Sequence, residues 1–283
     1  MPVFFLSTRV FYLDKSAAVW HAVAMKVLIT GASSGIGREL AKELAAEYDQ
    51  MVLVGRNQER LTALQNEIVG SHPAVHVDTV SVDLSVADAA RTLFDQHPDV
   101  DLLVNNAGFG DFGEFTATDL DRDLAMINTN VVALHILTKL YLTEMRARNF
   151  GHILNVGSIA GFMAGPLMST YYATKNYVVR LSEGIREELR RAKSKVRISV
   201  LCPGPVATGF PTTAHVKFNF KGVSPVKVAR YTVKHLHQFY IVPTAKIRLA
   251  RFAMGLLPST WVARIIYKIQ AKRQKAPRDE API

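Results

Sequence analysis

The chain has 283 residues, 49% hydrophobic and 20% charged, a globular composition that suits one large α/β domain with an added segment. A single cysteine, Cys202, excludes an internal disulfide and a Cys-rich metal site. The formal charge of +10, from 34 basic and 24 acidic residues, would suit nucleic acid, anionic lipid or a phosphorylated ligand. No zinc-finger or RNA-recognition motif accompanies that charge, so no nucleic-acid partner is expected.

Residues 1–24 read as a loosely ordered extension. Phe4-Phe5-Leu6 is apolar, but Arg9, Asp14 and Lys15 interrupt any signal-peptide core, and Ala22-Val23-Ala24 is a poor cleavage site. The folded domain is expected to open at Met25, itself a candidate start. Short apolar runs then alternate with longer amphipathic stretches. Val27 to Ile29, Met51 to Val54, Val75 to Val82, Leu102 to Val104, His152 to Val156 and Val196 to Leu201 read as strands. Residues of about 36–48, 57–70, 85–96, 117–148, 168–193 and 224–238 read as helices. This alternation predicts a parallel sheet covered by helices on both faces, with ligands beyond the carboxyl ends of the strands. Tyr240-Ile241-Val242 reads as a last strand, which closes a main domain of residues 25–243. Residues 244–283 form a basic tail of two amphipathic stretches broken at Pro258, fraying from Ala276 to Ile283. No run of about 20 apolar residues is present, so no helix is expected to span a bilayer.

Thr30-Gly31-Ala32-Ser33-Ser34-Gly35-Ile36-Gly37 follows the first strand and enters the first helix. Glycines there allow a tight turn and close approach of backbone to a pyrophosphate, which the helix N-terminus attracts. This T-G-x-x-x-G-I-G spacing resembles that of the classical short-chain dehydrogenases/reductases, and the resemblance covers roughly residues 25–242. Asn105-Asn106-Ala107-Gly108 resembles the family's N-N-A-G element, which holds the sheet edge and borders adenosine. Asp83 resembles the acid that meets the adenine ring. Pro203-Gly204 through Val206 and Thr208 resembles the P-G-x-x-x-T segment beside the nicotinamide. The resemblance implies a Rossmann-like, doubly wound sheet that binds a nicotinamide dinucleotide through Gly31, Ser33, Ser34, Gly35, Ile36 and Gly37. At the end of the second strand, NAD-preferring members usually carry an acid for the ribose 2′-hydroxyl. Arg56 stands there instead, and its planar fork suits a phosphate, so NADP(H) is expected over NAD(H). The bland alternative is a solvated surface arginine.

Tyr171 and Lys175 are four residues apart, which puts both on one helix face. The ammonium can then stabilise a tyrosinate, whose ordinary pKa near 10 would otherwise bar acid–base work near neutrality. Ser158 lies thirteen positions upstream, as the family requires. The resemblance implies that Tyr171 exchanges the proton and Ser158 binds the substrate oxygen. Lys175 would bind the nicotinamide ribose and tune Tyr171. It also implies an Asn in N-x-x-A context after N-N-A-G. Asn130 fits and Asn128 does not, so Asn130 is expected to shape its helix and hold a proton-relaying water. Tyr172 reads as packing, Cys202 as core, and His235 and His237 lack partners for a metal.

Phe109, Phe112, Phe162, Met163 and Met168, with Phe210, Phe218 and Phe220 in the segment 209–222, suit a small hydrophobic carbonyl compound or alcohol. In the tail, Trp261, Val262, Ile265, Ile266 and Ile269 share a helical face, with Arg264, Lys268, Lys272 and Lys275 beside it. Docking on the body or a second subunit is the favoured reading, and an anionic membrane surface the alternative. The expected molecule is a homo-oligomeric NADP(H)-dependent oxidoreductase in the cytoplasm, either free or held at the inner membrane surface. The competing class is a catalytically silent dinucleotide-binding or scaffold protein on the same fold.

Overall fold

The computed structural model describes residues 24–216 and 222–272 in full, and the backbone of three strands within residues 3–23. Where a loose extension is expected, β1 (Val3–Leu6), β2 (Arg9–Asp14) and β3 (Val19–Val23) form a small antiparallel sheet. Their sequences are rich in Phe, Tyr, Trp and Val, which favour extended backbone.

The main sheet contains β4 (Lys26–Thr30), β5 (Gln50–Gly55), β6 (His76–Ser81), β7 (Leu102–Asn105), β8 (His152–Val156), β9 (Arg197–Leu201) and β10 (Tyr240–Ile241). All pairs are parallel, and the spatial order is β10-β9-β8-β7-β4-β5-β6. The chain runs outward from β4 to β6, then returns to place β7 on the other side of β4. That reversal opens a crevice at the carboxyl edge between β4 and β7.

Successive side chains on a strand point to opposite faces, and both faces here are apolar. Val27 and Ile29 of β4 join the core under α1 (Gly35–Leu44), α2 (Gln58–Ser71) and α8 (Pro225–Lys234), whereas Leu28 between them joins the opposite core. That second core lies under α3 (Ala89–Gln96), α5 (Leu134–Arg148) and α6 (Ser169–Arg191). Leu28, Ile29, Met51 and Leu53 are wholly buried.

The helix expected over 117–148 is interrupted. Asp119 accepts a hydrogen bond from Arg122 N (2.8 Å) to start α4 (Leu120–Ile127), and a π-helical turn over Asn128–Ala133 leads into α5. The wider turn reorients its side chains, and such turns concentrate at functional sites. A short helix, α7 (Phe210–Thr213), follows β9. The tail forms α9 (Ala245–Gly255) and α10 (Ser259–Ala271), with Pro258 between them, as expected. No described helix is long and apolar enough to cross a membrane.

Candidate active site

The carboxyl edge of the sheet opens into a cavity of about 720 Å³. At one end lies the turn from β4 into α1. Gly35 has φ +58°, a left-handed conformation costly for other residues. A Cβ on Gly37 would sit 2.3 Å from the Gly31 carbonyl oxygen. Gly37 therefore lies beneath the cavity wall and permits its close packing, while Gly31, Ser33, Ser34, Gly35 and Ile36 face the cavity. Asn106 Nδ2 ties this turn to the β7 loop by donating to the carbonyls of Thr30 and Gly31, both at 3.0 Å. The first turn of α1 has no acidic residue, and Ser34 makes no side-chain cap. Its amide groups and positive dipole end remain available to an anion, so the cradle fits a dinucleotide pyrophosphate.

Further along the same wall, Arg56, exposed at the end of β5, lines the cavity with Arg60 from the first turn of α2. Asp83 lines it too, its Oδ1 accepting from Ser85 N (2.9 Å) in a local turn. Ala107, Gly108, Pro203, Gly204, Val206 and Thr208 complete this wall. The segment after Pro203 is pinned by a parallel bridge between Val206 and Val223, with Ala207 N donating to Val223 O at 2.9 Å.

Ser158, Tyr171 and Lys175 meet deeper in the cavity. Ser158 Oγ accepts from Ala160 N (3.1 Å) in the turn after β8, leaving its own proton to donate. Burial pushes the Tyr171 phenol up to about 12, while a hydrogen bond from Ser158 pulls the other way. Lys175 is 5% exposed. Its Nζ donates to Val156 O (2.9 Å) and stands 6.0 Å from the Tyr171 ring centroid. Burial lowers its pKa to about 8, with the Cys202 sulfur acting in the opposite sense. Phe210 packs on the outer side of the Tyr171 ring, centroids 5.2 Å apart.

Asn130, on the π turn, is fully buried and does not line the cavity. Its Oδ1 accepts from Phe109 N (3.0 Å), and its Nδ2 donates to Phe109 O (2.9 Å) and Thr174 Oγ1 (3.1 Å). It thus clamps the loop after β7 to the helix that carries Tyr171 and Lys175. Its neighbour Thr129 faces the cavity instead.

A family profile described as short chain dehydrogenase matches residues 25–216. The chain belongs to the short-chain dehydrogenase family. It is an oxidoreductase that couples alcohol and carbonyl substrates to a nicotinamide dinucleotide. Dehydrogenase/reductase SDR family member 7B of Bos taurus is 33% identical over 237 residues, 77% of this chain and 71% of that protein. Among solved structures, a short-chain dehydrogenase from Sphingobium yanoikuyae in complex with NADPH superposes with a TM-score of 0.75 at 24% identity, covering 91% of this chain and 98% of that one. A short-chain dehydrogenase/reductase from Burkholderia phymatum in complex with NAD gives 0.71 at 24% identity, covering 92% and 98%.

Within this family framework, several expectations are refined. Phe109, Met163, Met168 and Phe210 line the cavity, whereas Phe112 and Phe162 pack beside it. Phe218, Phe220 and Lys275 lie outside the described residues. Tyr172 is more than packing: it lines the cavity, and its hydroxyl accepts from Gln270 Nε2 of α10 (2.9 Å). Cys202 is wholly buried, and burial raises its thiol to about 12. His235 stacks on Tyr231 with centroids 3.8 Å apart. Among the described residues no group of His, Cys, Asp and Glu is placed to hold a metal ion.

Reading the sequence alone missed three features. Arg60 carries no motif; only its place one helical turn beyond Arg56 hints at a second cation. Ile247, Ala250, Met254, Ile266 and Ile269 of the tail wall the cavity, although nothing in the tail's periodicity reveals which surface it covers. The third is a buried polar cluster beside α7. His215 Nδ1 hydrogen-bonds Asp111 Oδ1 (2.8 Å), Arg122 Nε stands 3.4 Å from the same oxygen, and Arg122 Nη2 donates to Thr213 O.

Proposed function

We propose that this protein transfers hydride between NADP(H) and a hydrophobic ketone or secondary alcohol, with Tyr171 as general acid and base. The observation that carries the reading is the meeting of Ser158, Tyr171 and Lys175 in one apolar-walled cavity, at the opposite end from a cationic pair. A silent dinucleotide binder would not need a positioned proton donor beside a buried cation.

Bound NADPH would supply the hydride, chemistry that belongs to the cofactor. Ser158 donates a hydrogen bond to the substrate oxygen and holds it against Tyr171. In reduction, Tyr171 delivers its proton to that oxygen as negative charge develops. A phenol held near 12 remains protonated at neutral pH, so the acid needed for reduction is always loaded. In oxidation the phenol must give up its proton, and the Lys175 ammonium lowers that cost by stabilising the phenolate. Asn130 acts as a positioning residue, through Phe109 and Thr174.

Arg56 and Arg60 support the cofactor choice. Two guanidinium groups with no acid at the end of β5 suit the adenosine 2′-phosphate, which a carboxylate there would repel. The test is the ratio of kcat/KM for NADPH over NADH, measured with a panel of aliphatic, steroid and acyl ketones. Wild type is expected to favour NADPH by at least about tenfold, the scale of one charge-assisted contact. Arg56→Asp is expected to reverse that preference. A wild-type enzyme that favours NADH overturns the reading of this position.

A further inference from the structure

Helix α9 is apolar on two opposite faces. Ile247, Ala250 and Met254, spaced three and four apart, line the catalytic cavity. Leu249, Phe252 and Leu256, with the same spacing about half a turn away, are 68%, 68% and 72% exposed. Helix α10 divides its apolar stripe in the same manner. Val262 and Ile266 are buried against Met163, while Trp261 (58% exposed) and Ile265 (44%) face outward.

A surface helix has one apolar face for the core and a polar one for water. Here the outward faces are apolar and flanked by cations, with Lys246 beside the α9 stripe and Arg264 and Lys268 beside that of α10, while Arg248 Nη1 turns to the body and donates to Tyr231 Oη (3.0 Å) and Val242 O (3.2 Å). No Asp or Glu occurs from Ala245 to Lys272. A second copy of the chain is a poor occupant, because a two-fold contact through this face would set cations against the same cations. Anionic lipid matches both properties, receiving the apolar side chains among its acyl chains and the cations at its headgroups.

We propose that the outward faces of α9 and α10 dock on an anionic membrane surface and that the cavity takes an alcohol or ketone dissolved in that lipid. The substrate half of this proposal rests on the oxidoreductase reading above; the docking half does not. Ile269 joins the two, since it lines the cavity and is also 46% exposed. A lipid-borne substrate would thus meet a continuous apolar path from the outer face into the site.

The experiment uses the full-length protein and vesicles of phosphatidylcholine, with and without about 30% phosphatidylglycerol. Wild type is expected to sediment with the anionic vesicles at low salt, and the bound fraction to fall at least about fivefold in high salt as screening shortens the reach of the cations. The exposed triple variant F252E/L256E/W261E is expected to lose sedimentation. It should keep its melting temperature and its turnover of a water-soluble ketone, because none of the three residues lines the cavity. Failure of wild type to sediment at low salt overturns docking, as does sedimentation untouched by the triple variant. A variant that instead converts a dimer to a monomer, with vesicles irrelevant, assigns the face to a second copy and overturns the proposal. Absence of turnover with every ketone would count against the oxidoreductase reading and leave the sedimentation result standing. If docking is seen, turnover of a bilayer-dissolved ketone should exceed that of the triple variant at least about fivefold; equal rates overturn the substrate half.

Discussion

Lys175 carries its charge in a place that disfavours charge. Its folded-state pKa of about 8 lies below the ordinary 10.5. Between those values the unfolded chain binds the proton more tightly, so stability is lost as pH falls through that window. At about 1.4 kcal/mol per pH unit, the cofactor-free protein gives up on the order of 3 kcal/mol by neutral pH. Lys175→Met removes that penalty while keeping an unbranched side chain of similar length. It is expected to melt several degrees higher than wild type at pH 7 without cofactor, with the advantage shrinking by pH 10. The same variant is expected to lose most of its turnover. A melting temperature unchanged or lower at pH 7 would contradict this account of the lysine. Tyr171→Phe isolates the proton from the ring, whose packing on Phe210 is preserved. Turnover is expected to drop at least about a hundredfold with NADPH binding, followed by fluorescence titration, intact. Near wild-type turnover in this variant would sink the acid–base role.

At the scale of elements, the short helix α7 is held from outside the cavity. Asp111 is 3% exposed and His215 5% exposed. Asp111 Oδ1 shares a hydrogen bond with His215 Nδ1 and faces Arg122 Nε at 3.4 Å, so the cluster combines buried hydrogen bonds with charge attraction at low dielectric. It ties the loop after β7 and the first turn of α4 to the C-terminal end of α7, the helix that carries Phe210 over Tyr171. Asp111→Asn keeps the shape but removes the charge that Arg122 faces. The variant is expected to raise KM for the carbonyl substrate about tenfold and to speed proteolytic cleavage after α7, leaving the KM for NADPH unchanged. Removing one partner of a buried pair is costly, so a lower melting temperature is expected as well. If KM for both substrates is unchanged, the cluster is not what holds the helix. Most other elements were legible in advance, because period 2 and period 3.6 leave distinct apolar patterns. The strand His152–Val156 matches its expected limits, and α6 differs by one or two residues at each end. The π turn at Asn128–Ala133 was not legible, since one extra residue in a turn barely alters the apolar spacing.

For the whole molecule, motifs next to strands could be read because the chemistry of each is local: a glycine turn, an Asn pair, a Tyr and Lys on one face. Contacts between segments far apart in sequence left no such trace. Asp111 meets His215 across 104 positions and Tyr172 meets Gln270 across 98, and neither residue type advertises its partner. The N-terminal sheet was missed for a different reason: its alternation is short and interrupted by Arg9, Asp14 and Lys15. The cavity itself combines both situations. Its floor and nucleotide cradle come from the stretch matched by the family profile, residues 25–216, while much of its roof comes from Ile247 to Ile269. The reacting groups thus come from one length of the chain, whereas the apolar lining draws on both, with Phe109, Met163, Met168 and Phe210 from the first and Ile247 to Ile269 from the second. Exchanging the portion after Ile241 between relatives would reshape what enters the site while leaving the hydride machinery untouched, and that portion is the one to randomise when a new ketone is wanted.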